Sequence, residues 1–179
     1  MAAFIDGTDR KILELLQNDA RMTNAAIGEK VNMTAPSVYE RIRKLEQRGV
    51  IQKYTAIVNP QALGKTITAF IRLTAAWDEK HTPGIAEISQ DPDVLELYNV
   101  AGEDCFILKT RVSNPEELEA LLQRIRTKIT IMRSVTMIVM SSIKENAPLN
   151  CAPANENGAS PKLTHPVAAN ARRATTPAS

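Results

Sequence analysis

Apolar positions recur with a helical period from Asp9 to about Arg48, then alternate as in strands, then thin out. In the first stretch Ile12, Leu13, Leu15 and Leu16 mark the inner face of one helix, with Thr8 or Asp9 as its cap. Thr23 can cap a second, shorter helix that turns Ala26, Ile27 and Val31 inward. Ala35, Val38, Ile42 and Leu45 fall at offsets 0, 3, 7 and 10, a single stripe on a third helix. Only Asn32-Met33-Thr34 separates the last two helices. Asn32 suits the left-handed position that closes one helix, Thr34 the N-cap of the next, and Pro36 its first turn. Helices joined by so short a turn must cross steeply, which predicts a helix-turn-helix. Gly49 ends the third helix, Ile51–Val58 reads as a strand, and Asn59-Pro60 breaks it.

From Gly64 the period becomes two. Ile67, Ala69, Ile71 and Leu73 alternate on one face of a strand over Thr66–Ala75. Thr82-Pro83 starts a short helix carrying Ile85 and Ile88, which Asp91-Pro92 stops. Two strands, Val94–Ala101 and Cys105–Val112, flank the tight turn Gly102-Glu103-Asp104. Asn114-Pro115-Glu116-Glu117 is a strong helix start, and Leu118, Leu121, Leu122 and Ile125 follow it. A last strand runs from about Ile131 to Ile143. The order β-α-β-β-α-β predicts a ferredoxin-like fold. Two helices cover one face of four strands, yet Cys105 and Ile107 oppose Phe106 and Leu108, and Val135, Met137 and Val139 oppose Ile138 and Met140. A second copy packed sheet against sheet is the expected cover, hence a homodimer.

Beyond Ala147 no periodicity survives. Nine alanines and five prolines among the last 33 residues predict a disordered tail, with Arg172-Arg173 as its charge cluster. The expected division is therefore 1–60 for the helix-turn-helix and hinge, 61–146 for the ferredoxin-like part, and 147–179 for the tail. The class is α+β.

Charge adds a location. The whole chain carries only +2, but Pro36–Lys53 holds five basic residues against two acidic, or +3. Gln61–Asn146 holds 10 against 12, or −2. Positive charge concentrated in this segment suits a polyanion docking there. Ser37, Tyr39 and Glu40 are the candidate base readers, with Pro36 beside them in the first turn. Arg41, Arg43, Lys44 and Arg48 are the candidate phosphate contacts, joined by the capping hydroxyls of Thr23 and Thr34. A bland alternative is a solvated helix face on which Glu40 and Lys44 form an ordinary i,i+4 pair.

Other chemistry finds little footing. Cys105 and Cys151, 46 positions apart, make neither a disulfide framework nor a metal-ligand spacing. Cys105 and His81 could meet in space, but no third orienting group is in view. No phosphate-cradling glycine loop is present, and no catalytic, metal or cofactor site is expected. Nor is there a signal-like N-terminus or an apolar run near the ~18 residues of a membrane span. The expectation is a cytoplasmic protein without membrane association.

The segments "DRKILELLQNDARMTNAAIGEKV", "SVYERIRKLEQRGVIQKYTAIVNPQALG", "VAGEDCFILKTRV" and "VTMIVMSSIK" together resemble the Lrp/AsnC, or feast/famine, family of transcriptional regulators. The resemblance runs from about Ile5 to Glu145. It implies an N-terminal domain that reads double-stranded DNA, a hinge strand, and a C-terminal βαββαβ domain. That domain dimerises, often assembles to tetramers or octamers, and in many members binds an amino acid between subunits. Carried onto this chain, it places the effector at Gly102, Glu103, Asp104 and Cys105, with Thr136 as a neighbour across a subunit boundary. Three positions depart from the family pattern. Asn32 stands where glycine is usual in the interhelical turn, and Cys105 where a carboxylate is often found. Lys128–Ile131 lacks the usual Pro-Gly turn. Two rival expectations remain, a small-molecule-binding ferredoxin-like module and a nonspecific DNA-compacting protein.

Overall fold

The computed structural model describes residues 5–152. It divides into two compact units, one holding the chain up to Lys53 and again from Pro148, the other Tyr54–Ala147. From residue 153 on, the expected tail, with Arg172-Arg173, lies outside the described residues.

In the helical unit, α1 spans Gly7–Asn18, α2 Asn24–Val31 and α3 Ala35–Gln47. The cap of α1 is Asp6 rather than Thr8 or Asp9. Its carboxylate accepts from the Asp9 N–H at 2.7 Å, and Asp9 returns the favour to the Asp6 N–H at 3.4 Å. This reciprocal box satisfies two donors at once, and Gly7 takes the first helical position within it. Thr23 and Thr34 cap α2 and α3 as expected, and Asn32 adopts φ 54° in the turn between them. Ile12, Ile27 and Val38 are fully buried where the three helices meet, with Leu16, Met33 and Ile42 around them. Burying each such side chain contributes about 1.5–3 kcal/mol. The segment from Pro148 lies against α1: Gln17 exchanges hydrogen bonds with the Leu149 backbone, and Arg10 donates to the Cys151 carbonyl at 2.8 Å.

Gly28 explains how the turn stays so short. A β-carbon there would come within 2.4 Å of the Met33 carbonyl oxygen, so only glycine lets α2 and the turn approach this closely.

In the second unit, β1 (Ile67–Ala75), α4 (His81–Ile88), β2 (Val94–Asn99), β3 (Phe106–Val112), α5 (Pro115–Lys128) and β4 (Ile131–Ile138) follow one another. The sheet order is β2-β3-β1-β4, antiparallel throughout. Ala69, Ile71, Leu73, Phe106, Leu108 and Val112 turn to one face and meet Ile88, Leu121 and Ile125 of the two helices. Gly84 lets α4 approach the end of α5, since a β-carbon would fall 2.2 Å from the Lys128 carbonyl oxygen. Gly84→Ala should cost about 1–3 kcal/mol through forced separation of the two helices, read as a lower urea midpoint.

Two expectations need correction. Residues 51–58 belong to no strand among the described residues, and residues 52–59 are exposed throughout. A strand requires a ladder partner, which sequence alternation alone does not supply. The last strand also stops at Ile138 rather than Ile143. The sheet face away from the helices carries Phe70, Ile107, Val135 and Met137, but Arg72, Lys109 and Arg111 alternate with them. That face is half apolar and half charged, more polar than the alternation alone suggested.

Candidate nucleic-acid interface and effector hairpin

Val38 and Leu45 anchor α3 with at most 1% of their surface exposed, which fixes what the rest of the helix presents. Pro36, Ser37, Tyr39, Glu40, Arg43, Lys44 and Arg48 are all exposed. Ser37, Glu40 and Lys44 follow one another at i, i+3 and i+7 and so share a face. The Thr34 hydroxyl caps α3 and sits 2.9 Å from the Ser37 hydroxyl, so both lie at the start of that face. Thr23 caps α2 and accepts from Ala26 N–H at 3.2 Å. Arg43 stands 3.8 Å from Glu40, a loose pair between exposed side chains that contributes little.

Arg41 departs from the sequence expectation. Its guanidinium reaches across to α1 and meets Asp6 and Asp9, each at 2.7 Å, with only 32% of its side chain exposed. It ties α3 to α1 and to that helix's cap. The contact also has an electrostatic consequence. Asp6 and Asp9 line an open concavity of about 580 Å³ together with Ser37, Glu40, Lys44 and Arg48. Arg41 offsets two carboxylates that would otherwise stand bare beside the basic face.

The Asp9 backbone N–H, followed by Arg41, holds the Asp6 carboxyl below the usual carboxylate range. A group with a depressed folded-state pKa contributes stability above its unfolded value near 3.8. That contribution is lost as pH falls through the lower folded value. The helical unit should therefore loosen in acid below about pH 4, followed by circular dichroism. Asp6→Asn should flatten that dependence while lowering stability at neutral pH.

The hairpin between β2 and β3 brings Gly102, Glu103, Asp104 and Cys105 together at one end of the sheet. Glu103 is exposed and Gly102 has φ 150°, while Asp104 is 8% exposed and ion-paired to Arg72, whose Nε lies 2.5 Å away. Cys105 packs against the core, and its N–H donates to the Leu73 carbonyl at 2.9 Å. Thr136, half-buried on β4, pairs with Ile71, so within one chain it lies two β1 positions from the hairpin's anchor at Leu73. Next to the hairpin, the His81 ring stacks on Trp77 at 3.9 Å and lies 5.6 Å from the Phe106 ring. Neither His81 ring nitrogen has a hydrogen-bond partner among the described residues, so His81 and Cys105 are not hydrogen-bonded. Sequence reasoning missed Asp6 and Arg72. The spacing Asp6-Gly-Thr-Asp9 was a signal for the first, whereas an arginine inside an alternating strand gave no hint of its partner.

A helix-turn-helix unit with a basic outward face, followed by a four-stranded α+β unit bearing a polar hairpin, defines a two-domain DNA-binding regulator. Residues 5–46 match the AsnC-type helix-turn-helix domain, and residues 68–149 the Lrp/AsnC ligand-binding domain. The chain belongs to the Lrp/AsnC family of transcriptional regulators. It is 34% identical over 145 residues to the HTH-type transcriptional regulator FL11 of Pyrococcus horikoshii, covering 81% of this chain and 95% of that protein. The crystal structure of an AsnC family regulator from Agrobacterium tumefaciens superposes with a TM-score of 0.77 at 28% identity, over 81% of this chain and 96% of that one. A feast or famine regulatory protein of Mycobacterium tuberculosis, complexed with L-methionine, is similar at 33% identity and a TM-score of 0.72, over 78% of this chain and 95% of that one. No helix among the described residues is long and apolar enough to cross a membrane.

Proposed function

We propose that this regulator binds specific duplex sites as a dimer or larger assembly, and that a small amino acid tunes it from the 102–105 hairpin. The observation that carries the DNA half is α3 itself. Val38 and Leu45 of its apolar stripe are buried, and Ser37, Glu40 and Lys44 share the exposed face. In this reading Ser37, Tyr39 and Glu40 approach base edges, Glu40 accepting from a cytosine amino group. Pro36 shapes the first turn, and Thr23 and Thr34 sit at helix starts where phosphate oxygens can approach. Arg43, Lys44 and Arg48 hold the backbone, while Arg41 holds α3 in place. Phe70, Ile107, Val135 and Met137 on the uncovered sheet face favour a second copy as its cover. Bound L-methionine in the Mycobacterium tuberculosis relative supports an apolar amino acid as effector. Because Asp104 is already engaged by Arg72, Glu103 is the carboxylate left to meet the ammonium group.

A gel shift with genomic fragments against bulk competitor tests the DNA reading. At least one fragment should survive competition, and Lys44→Ala should lower the slope of log affinity against log salt by about 0.9. Uniform competition at every fragment would instead favour nonspecific compaction. A thermal-shift screen with the twenty amino acids tests the effector. L-Methionine or a similar side chain should stabilise the protein, and Glu103→Gln should weaken that response. No stabilisation by any amino acid would remove the effector from the account.

A further inference from the structure

The sheet unit carries ten lysines and arginines. Six are held by carboxylates, among them Arg72 by Asp104, Arg111 by Glu145 and Arg124 by Asp91. Of the other four, three stand around one concavity of about 540 Å³: Lys80 ahead of α4, Arg126 in the last turn of α5, and Arg133 on β4. None of the three is in an ion pair among the described residues. The lining adds the hydroxyls of Thr130 and Ser134 and contains no carboxylate. Asp78 is the acidic neighbour; it engages the Thr130 side chain and accepts from the Lys80 backbone N–H at 3.0 Å.

Like charges gathered round a hollow repel one another. The arrangement is stabilised when an anion fills the hollow. Two guanidinium groups can each grip two oxygens of a phosphate or carboxylate, and an ammonium can add a third contact. The volume lies within the range of small-molecule sites. A zwitterionic amino acid fits poorly, because its ammonium finds no lining carboxylate.

We infer that the Lys80–Arg126–Arg133 concavity binds a small anion with at least two negative charges, of the phosphate or dicarboxylate class. None of the hairpin residues 102–105 lines this site, and the inference does not depend on the DNA or amino-acid reading. The test is calorimetric titration of the full chain at low salt with pyrophosphate, and with succinate in a parallel arm. At least one should bind, less tightly as salt rises, and the Arg126→Gln/Arg133→Gln pair should weaken it at least tenfold. Lys144→Ala, which removes the sheet unit's other cation without an ion pair among the described residues, should leave binding unchanged. The relative strength of the two arms assigns phosphate or dicarboxylate.

Three results would overturn the inference. One is an absence of binding by both probes, or binding unchanged in the double variant with its melting curve intact. A second is loss of duplex affinity in the double variant to the same degree as in Lys44→Ala, which would make the patch a DNA backbone contact. The third is a lower sedimentation mass for the double variant, which would mean that a second copy's carboxylates fill the hollow.

Discussion

Replacing Arg41 by alanine should lower the stability of the helical unit by about 2 kcal/mol, a melting shift of about 10 °C. The magnitude follows from what is left behind. Asp9 has only 10% of its side chain exposed, and without Arg41 its carboxylate loses a partner at 2.7 Å. Breaking a fully buried pair costs about 3–5 kcal/mol, and solvent reaching Asp6 and Arg41 reduces that. The same substitution should weaken DNA binding by more than the loss of one cation. It displaces α3 from α1 and bares two carboxylates beside the phosphates. The discriminating readout is the salt slope. A clamp should leave it nearly unchanged, whereas loss of a direct phosphate contact would lower it by about 0.9. Asp9→Asn with Arg41 intact should reproduce part of the stability loss, which a pure phosphate-contact role would not predict.

Gly28→Ala should be costlier still, about 3 kcal/mol or more. The added methyl would meet a backbone oxygen at 2.4 Å, and a backbone carbonyl in a three-residue turn has little room to yield. Either α2 and α3 move apart or the turn unwinds, and both outcomes re-aim the recognition helix. Thermal melting should show the loss. Binding to a specific fragment should fall toward the level of bulk competitor even at temperatures where the variant stays folded. A variant with unchanged melting would show that the close approach of α2 to the turn is not needed.

Most of the architecture was legible because each element carried its own local signal. Thr34-Ala-Pro36 and Asn114-Pro115-Glu-Glu117 announce helix starts through side chains that reach only a few residues. Ala69, Ile71 and Leu73 announce a half-buried strand through alternation alone. What the sequence hid were relations between distant positions. Arg41 looked like one basic side chain among four, because its partners stand 32 and 35 positions earlier on another helix. Asp104 looked available for a ligand, because the arginine that occupies it sits mid-strand, 32 positions away. Residues 51–58 looked like a strand, but a ladder needs a second strand, and the sheet among the described residues does not include them. The candidate effector hairpin was placed by resemblance rather than by physics, and it carries Cys105 and the Arg72–Asp104 pair.

The account turns on α3 entering the major groove by its Ser37–Glu40–Lys44 face. Dimethyl sulfate footprinting on the tightest-binding genomic fragment addresses this directly, because the reagent methylates guanine N7 in the major groove and adenine N3 in the minor groove. The expected pattern is guanine protection in two half-sites one helical turn, or a whole multiple of it, apart. That protection should be lost on Gly28→Ala. Protection confined to adenines, or guanines methylated as freely as in bare DNA while the protein is bound, would contradict it.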